Sequence, residues 1–169
     1  MEQALVAWLR QTMLSSLVTG NVWVWPTLET LHFIGLSLLI GTIGIFDLRL
    51  LGMAKGLPAK PMSRLIPWGI AGFLLNVVTG VLFFIGEPAN YVNNIAFYCK
   101  MTFVGLAGVN VLIFYLTVAK RVEALDSGED SPWGAKLVAA SSLLLWIGIM
   151  AAGRLLTFYH DHGLGQIIE

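Results

Sequence analysis

One segment of the chain combines ionisable side chains with the composition of a membrane helix. Glu29 and His32 lie three residues apart and therefore share a helix face, and their neighbours are mostly aliphatic or aromatic. Ionisable residues in a bilayer are costly, so they usually face the interior of a helix bundle and mark a functional site. An imidazole in that position can bind a metal, hold a haem iron or exchange a proton.

Residues on the other expected helices fall at a similar depth. A rise of about 1.5 Å per residue places them roughly 7 to 13 Å below the outer surface of the membrane. Two are cations, which could bind anions or reach towards the headgroups as anchors. Two carry an amide or a hydroxyl, which could bind a ligand or join helices. The predicted cofactor-binding residues are Glu29, His32, Lys100, Arg154, Asn76 and Thr79.

A second group of candidate ligands follows the last expected helix. His160 and His162 flank Asp161 in FYHDHGLGQ, on the same side of the membrane as His32. The three histidines could bind a transition metal such as copper, or His160 could reach the second face of a haem held by His32. A solvated polar tail explains the same residues without a ligand. A depth difference of roughly 10 Å argues against a shared haem.

Other polar residues in the apolar segments have structural explanations. Asp47 and Arg49 lie at the inner end of the first segment, where we expect a packing or orientation contact. Asn110 is expected to form hydrogen bonds between helices, and the glycines of GIAG and GLAGVN to let helices approach closely. The chain contains neither Gly-x-Ser-x-Gly nor His-Glu-x-x-His, which argues against an intramembrane hydrolase.

The composition identifies the environment of these residues. Hydrophobic residues make up 57% of the 169 positions and charged residues only 12%, with a mean hydropathy of +0.78. Such a chain is too apolar for a soluble domain of this length, so its main partner is the lipid bilayer. The formal net charge is zero, and nothing favours binding to nucleic acid.

Four segments are long enough to cross the bilayer, which requires about 20 apolar residues. Short connections make successive helices antiparallel, so the predicted fold is an all-α, up-down-up-down four-helix bundle. Residues 1–22 alternate apolar and polar positions, which predicts an interfacial amphipathic helix. The predicted transmembrane domain is 23–159, with spans at about 23–48, 66–86, 95–119 and 136–159, and a polar tail at 160–169.

The connections indicate the orientation of the bundle. The first connection and its borders carry four cations, the third three and the second none. Short loops rich in Lys and Arg remain in the cytoplasm. Both termini are therefore expected in the periplasm, and the polar layer in the periplasmic half of a bacterial inner membrane.

Four stretches resemble a family of small four-helix bacterial inner-membrane proteins of unknown function: WPTLETLHFIGLSLLIGTIGIFDLRLLG, PWGIAGFLLNVVTGVLFF, FYCKMTFVGLAGVNVLIFY and LLLWIGIMAAGRLLTFY. The resemblance extends from about Trp23 to Tyr159 and centres on Glu-x-x-His followed by Asp-Leu-Arg-Leu-Leu-Gly. It implies a fold and a location but no activity. A looser resemblance to b-type cytochromes and copper-resistance membrane proteins implies haem or copper. Those cytochromes hold haem between two histidines, whereas this chain has one histidine well inside a span.

Three functions are compatible with these residues. The first is a small membrane subunit of an electron-transfer system that binds haem b or a quinone head group, with His32 as ligand or hydrogen-bond partner and Lys100 and Arg154 as anion contacts. The second is a cofactor-free scaffold or accessory subunit that binds other membrane or periplasmic subunits. The third is a protein that handles copper or another metal through His32, His160 and His162. A non-catalytic role is favoured over an enzyme.

The expected orientation can be tested with reporter fusions. Alkaline phosphatase folds only in an oxidising compartment, so a fusion after Glu169 should be active and one after Lys60 inactive. The opposite pair of results would move the polar layer to the cytoplasmic half of the membrane.

Overall fold

The structure, a computed structural model, describes residues 2–161 of the chain. This part is helical and contains no strand, which confirms the all-α prediction. A 3-10 turn at Ser63–Leu65 precedes α5, and a π turn at Phe114–Val118 joins α7 to α8. The helices are α1 (Glu2–Arg10), α2 (Met13–Thr19), α3 (Val24–Leu50), α4 (Ala59–Met62), α5 (Ile66–Gly86), α6 (Ala89–Val92), α7 (Ile95–Ile113), α8 (Ala119–Glu123) and α9 (Trp133–Asp161).

Four of these helical segments are long and apolar enough to cross a membrane, so the chain is a multi-pass membrane protein. The second has the predicted bounds. The third continues through the π turn to Glu123 instead of ending at 119, and the fourth begins at Trp133 instead of 136. The extra turn of the third span contains Lys120 and Arg121, which sequence reasoning assigned to the polar connection before the fourth span.

The first two spans, α3 and α5, approach each other through glycines. A Cβ on Gly72 would lie 2.6 Å from the carbonyl oxygen of Gly35, and one on Gly69 would lie 2.8 Å from the hydroxyl of Thr42. The close approach predicted from GIAG is therefore confirmed. The glycines of GLAGVN, Gly105 and Gly108, have no neighbour within 4 Å of a Cβ in the described chain, so that part of the expectation is wrong.

The other two long helices, α7 and α9, are joined by amides. Asn110 donates to the carbonyl oxygen of Val138 at 3.1 Å and accepts from the hydroxyl of Ser141 at 2.8 Å. This confirms its predicted interhelical role. At the end of the bundle near the second connection, which we call the outer end, Asn94 caps α7 and donates to the carbonyl oxygen of Leu156 at 3.0 Å. The two helices are thereby fixed at two levels.

A cluster of buried apolar side chains lies at the opposite end of the bundle, near the first and third connections, which we call the inner end. Here α3 and α9 meet α8 and the π turn in a cluster with almost no exposed surface. The N–H of Phe114 is shared between the carbonyl oxygens of Asn110 and Val111, where the π turn begins. The cluster consists of Leu50, Val118, Val122, Ala135 and Ala139.

A buried arginine connects the two loops at this inner end. Arg49 is 0% exposed, and its Nε and Nη2 donate to the carbonyl oxygens of Leu57 at 2.6 Å and Asp126 at 3.2 Å. This is the packing contact expected for Arg49. Ion pairs add to it, because Lys136 and Lys55 both bind Asp130, at 2.7 and 3.1 Å. Hydrogen bonds from these lysines lower the pKa of Asp130 to about 2.

The N-terminal region differs from the single helix expected over 1–22. It contains two short helices, because Thr12 breaks the run and its hydroxyl accepts from the N–H of Ser15 to cap α2. Helix α2 packs on the outer end of α5, where Val18 lies against Gly86. Apolar side chains on the opposite side, such as Trp8 and Met13, are exposed, so the pair presents an apolar surface outward.

The glycine contact between α3 and α5 supports a stability prediction. The Gly72→Ala variant should lose about 1–3 kcal/mol of unfolding free energy, because its Cβ would meet the backbone of Gly35 and Leu39, which cannot move aside cheaply. Unfolding in detergent measures this loss. Gly80→Ala, on the same helix, is the matched control, because its Cβ would meet nothing within 4 Å. Equal stabilities of the two variants would contradict the prediction.

Candidate functional site

His32 on α3 is bound directly to Thr79 on α5. The Nδ1 of His32 lies 2.7 Å from the hydroxyl oxygen of Thr79, and that oxygen lies 2.7 Å from the carbonyl oxygen of Leu75. An oxygen pair at this distance requires a hydrogen between the atoms, so the single hydroxyl hydrogen of Thr79 points to Leu75. The hydroxyl therefore accepts from Nδ1–H of His32. In this tautomer, Nε2 has an unshared lone pair.

Aromatic rings fix the orientation of the imidazole. The ring of His32 meets Phe83 edge-on with centroids 5.7 Å apart, and Phe83 in turn contacts Trp25 at 5.0 Å. The imidazole is half-buried, and Nε2 has no hydrogen-bond partner among the side chains that the structure describes. A fixed ring with one free nitrogen is suited to bind a ligand through that nitrogen.

Lys100 on α7 lies near His32. Its positive charge acts on the imidazole, and its Nζ lies 3.7 Å from the position that a Cβ on Gly153 of α9 would occupy. The side chain is half-buried, and in the described chain it forms neither a hydrogen bond nor an ion pair. An unpaired cation inside a membrane bundle is unfavourable, so this ammonium is available to an anion or a polar oxygen.

Glu29 and Arg154 are not paired with these groups. Glu29 is exposed and accepts a hydrogen bond from Nε1 of Trp25 at 3.1 Å. Its charge acts on Tyr91, whose pKa is raised to about 12 by burial and then by the charges of Glu87 and Glu29. Arg154 is exposed and forms no ion pair within the part of the chain described. The structure thus joins His32 to Thr79 and brings Lys100 near, while Glu29 and Arg154 face outward.

Asn76 lies one turn further in on α5. Its amide nitrogen donates to the carbonyl oxygen of Gly72 at 2.9 Å, and its side chain packs on Gly35. Its Oδ1 is buried without a hydrogen-bond partner in the described chain. Asn76 therefore belongs to the contact between α3 and α5, and retains one unused acceptor below the His32 layer.

The metal-binding prediction rests on residues that the structure does not cover. His162 and the tail after it lie outside the described residues, as does the side chain of His160. Among the residues described, no three of the His, Cys, Asp or Glu side chains come together as metal ligands. A site formed by His32, His160 and His162 stays a prediction.

The bundle is more open between α5 and α7 than elsewhere. Helix α3 packs on α5 and α9, and α9 packs on α7, but α5 and α7 have no comparable contact. They meet at their outer ends, where the rings of Phe84 and Phe97 stack with centroids 5.7 Å apart. Further in, a Cβ on Gly80 or Gly108 would meet nothing. The side of the bundle between these helices therefore faces the bilayer without a tight seam.

Sequence reasoning missed three residues around this site. Phe83 orients the imidazole, Gly153 lies against the side chain of Lys100, and a Cβ on Gly80 would have no neighbour within 4 Å in the described chain. An aromatic residue four positions after Thr79 is a usable signal for Phe83, because residues four apart share a helix face. The glycines have no such signal, since their role depends on the rotation of neighbouring helices.

Comparison with known protein families identifies one match. A family model described as "Family of unknown function (DUF6644)" matches residues 5–159, so the chain belongs to this family. The predicted membership of a family of unknown function is thereby confirmed. No curated protein and no solved structure matches the chain.

The bond between His32 and Thr79 supports a prediction about the imidazole. Thr79→Val should leave Nδ1–H of His32 without its acceptor and lower the unfolding free energy by about 1–3 kcal/mol. It should also allow the tautomer that carries the hydrogen on Nε2. Nitrogen-15 NMR of labelled histidine reports the tautomer. Thr79→Ser should preserve it. Thr117→Val is the control, because that exposed hydroxyl bonds only its own helix at Ile113. An unchanged histidine spectrum in Thr79→Val would refute the assignment.

Proposed function

We propose that this member of DUF6644 is a small integral-membrane subunit of an electron-transfer system that binds a quinone head group between His32 and Lys100. The observation that carries the proposal is the free Nε2 of an imidazole whose Nδ1–H is already bound to Thr79, beside an ammonium without a partner. Two polar groups in an apolar bundle are the usual composition of a small-ligand site.

The membrane position of the pair favours a ligand that dissolves in the bilayer. The loose side between α5 and α7 offers such a ligand a lateral approach to the level of Thr79. A quinone head group carries two oxygens at opposite ends of one flat ring, so it can face two polar groups on different helices. In this proposal the quinone supplies the redox chemistry, Lys100 binds one oxygen, and Phe83 and Thr79 hold His32 in position.

Haem b is the second candidate, supported by the same tautomer. A metal-binding histidine typically donates its other ring N–H to a fixed acceptor, as Nδ1–H of His32 does to Thr79. The propionates would be bound by Lys100 on α7 and by Arg154, which follows Gly153 on α9. The fit is partial, because the described spans contain no second histidine with a described side chain, so a second axial ligand would have to come from His160 or another protein.

The location belongs to the same proposal. The cations of the first and third connections support a bacterial inner membrane with both termini in the periplasm. The site would then lie in the periplasmic half, where His32 sits roughly 13 Å from the outer boundary. The apolar surface of α1 and α2 is available for lipid or for other subunits of the complex.

The proposal predicts that replacing His32 removes the ligand without unfolding the protein. His32→Gln keeps bulk and hydrogen-bonding capacity, so it should insert and purify normally, with at most about 1–2 kcal/mol of stability lost. Its extractable quinone should fall well below the wild-type amount. If haem is the ligand, the reduced-minus-oxidised absorption band should disappear instead, because a glutamine amide is a poor iron ligand.

His160→Gln serves as the control and should change the ligand content only if His160 is a second ligand. Equal ligand content in wild type and His32→Gln, with a difference only in melting temperature, would support the cofactor-free scaffold instead. Stoichiometric copper in the wild-type protein would support the metal-handling function.

A further inference from the structure

The two free polar groups of the site have opposite hydrogen-bonding capacities. Nε2 of His32 can only accept, because the ring hydrogen lies on Nδ1 and is bound to Thr79. Nζ of Lys100, as an ammonium, can only donate. A ligand that satisfies both must therefore present one hydrogen-bond donor and one acceptor on the same small head group.

The acceptor character of Nε2 is enforced by two neighbours. The hydroxyl of Thr79 is committed to the carbonyl oxygen of Leu75 at 2.7 Å, so it cannot donate to Nδ1 and allow the hydrogen to move to Nε2. Protonation of both nitrogens would place a second positive charge near Lys100, whose charge already acts on this ring. In a medium of low dielectric constant, that repulsion is costly.

The oxidised and reduced forms of a quinone differ in this respect. The carbonyl oxygens of a quinone only accept hydrogen bonds, so one of them would face the lone pair of Nε2. The hydroxyls of a hydroquinone both donate and accept. One hydroxyl can donate to Nε2 while the oxygen of the other accepts from Lys100.

Resting on the proposed function, we infer that the site selects the reduced head group: it binds a hydroquinone in preference to the corresponding quinone. Thr79 is the positioning residue for this selectivity, since it fixes which nitrogen carries the hydrogen. His32 makes the discriminating contact. Lys100 contributes to both forms, because each offers it an acceptor oxygen.

The test compares three probes on the full chain in nanodiscs under anaerobic conditions. The probes are a short-chain benzoquinone, its hydroquinone and the dimethyl ether of that hydroquinone, whose oxygens only accept. Calorimetric titration should show the hydroquinone binding about tenfold more tightly than the other two, the value of one additional satisfied hydrogen bond. His32→Met should reduce this ratio to about one, whereas Thr117→Val should leave it unchanged.

The melting profile of His32→Met checks separately that this variant folds. Thr79→Ser is a milder variant that should retain the preference for hydroquinone. Thr79→Val should weaken that preference. If the quinone or the ether binds as tightly as the hydroquinone, the inference is overturned and the proposed function stands. If the preference persists in His32→Met, His32 does not make the discriminating contact and the inference is overturned. If none of the three probes binds to wild type, the proposed quinone site fails and the inference fails with it.

Discussion

The buried guanidinium of Arg49 is the contact on which the inner half of the structure depends. Arg49 has no exposed surface, and backbone carbonyls of two separate loops accept from its Nε and Nη2, which offsets part of the cost of burying the charge. Arg49 ends the first span, Leu57 precedes the second and Asp126 lies between the third and the fourth. One side chain thus connects all the elements that meet on this face of the membrane, and the apolar cluster around Leu50 packs beside it.

The outer half is where ligand binding is expected. Its contacts include the bond from the amide of Asn94 to α9, the aromatic stack of Phe84 with Phe97, the bond between His32 and Thr79, and the packing of Val18 against Gly86. Unused polar atoms occur in both halves of the described chain. Oδ2 of Asp47 and Nη1 of Arg49 are buried without a partner at the inner end, and Nε2 of His32 and Nζ of Lys100 are unpaired at the outer end. What distinguishes the outer pair is the loose side of the bundle between α5 and α7.

The sequence predicted the features that follow from depth and composition. The bilayer requires long apolar segments, so the four spans and the layer containing His32, Thr79 and Lys100 could be found by counting residues. Rotation of each helix about its axis could not be found in this way. Glu29 was expected beside the cations because it shares a face with His32, yet a difference of three residues is about 60° of arc. That angle is enough to turn its carboxylate to Trp25.

The π turn at Phe114–Val118 has a consequence for how the site can change in evolution. Such a turn holds one residue more than an α-helical turn, and one residue corresponds to about 100° of rotation. The rotation of the outer part of α7 about its own axis is therefore independent of the helical segment that follows the turn. Loss of a single residue there would bring another side chain to the position of Lys100 while the inner loops and their arginine stayed in place. A single indel at this turn would therefore change which side chain of α7 lies beside His32, although the indel itself is far from that residue.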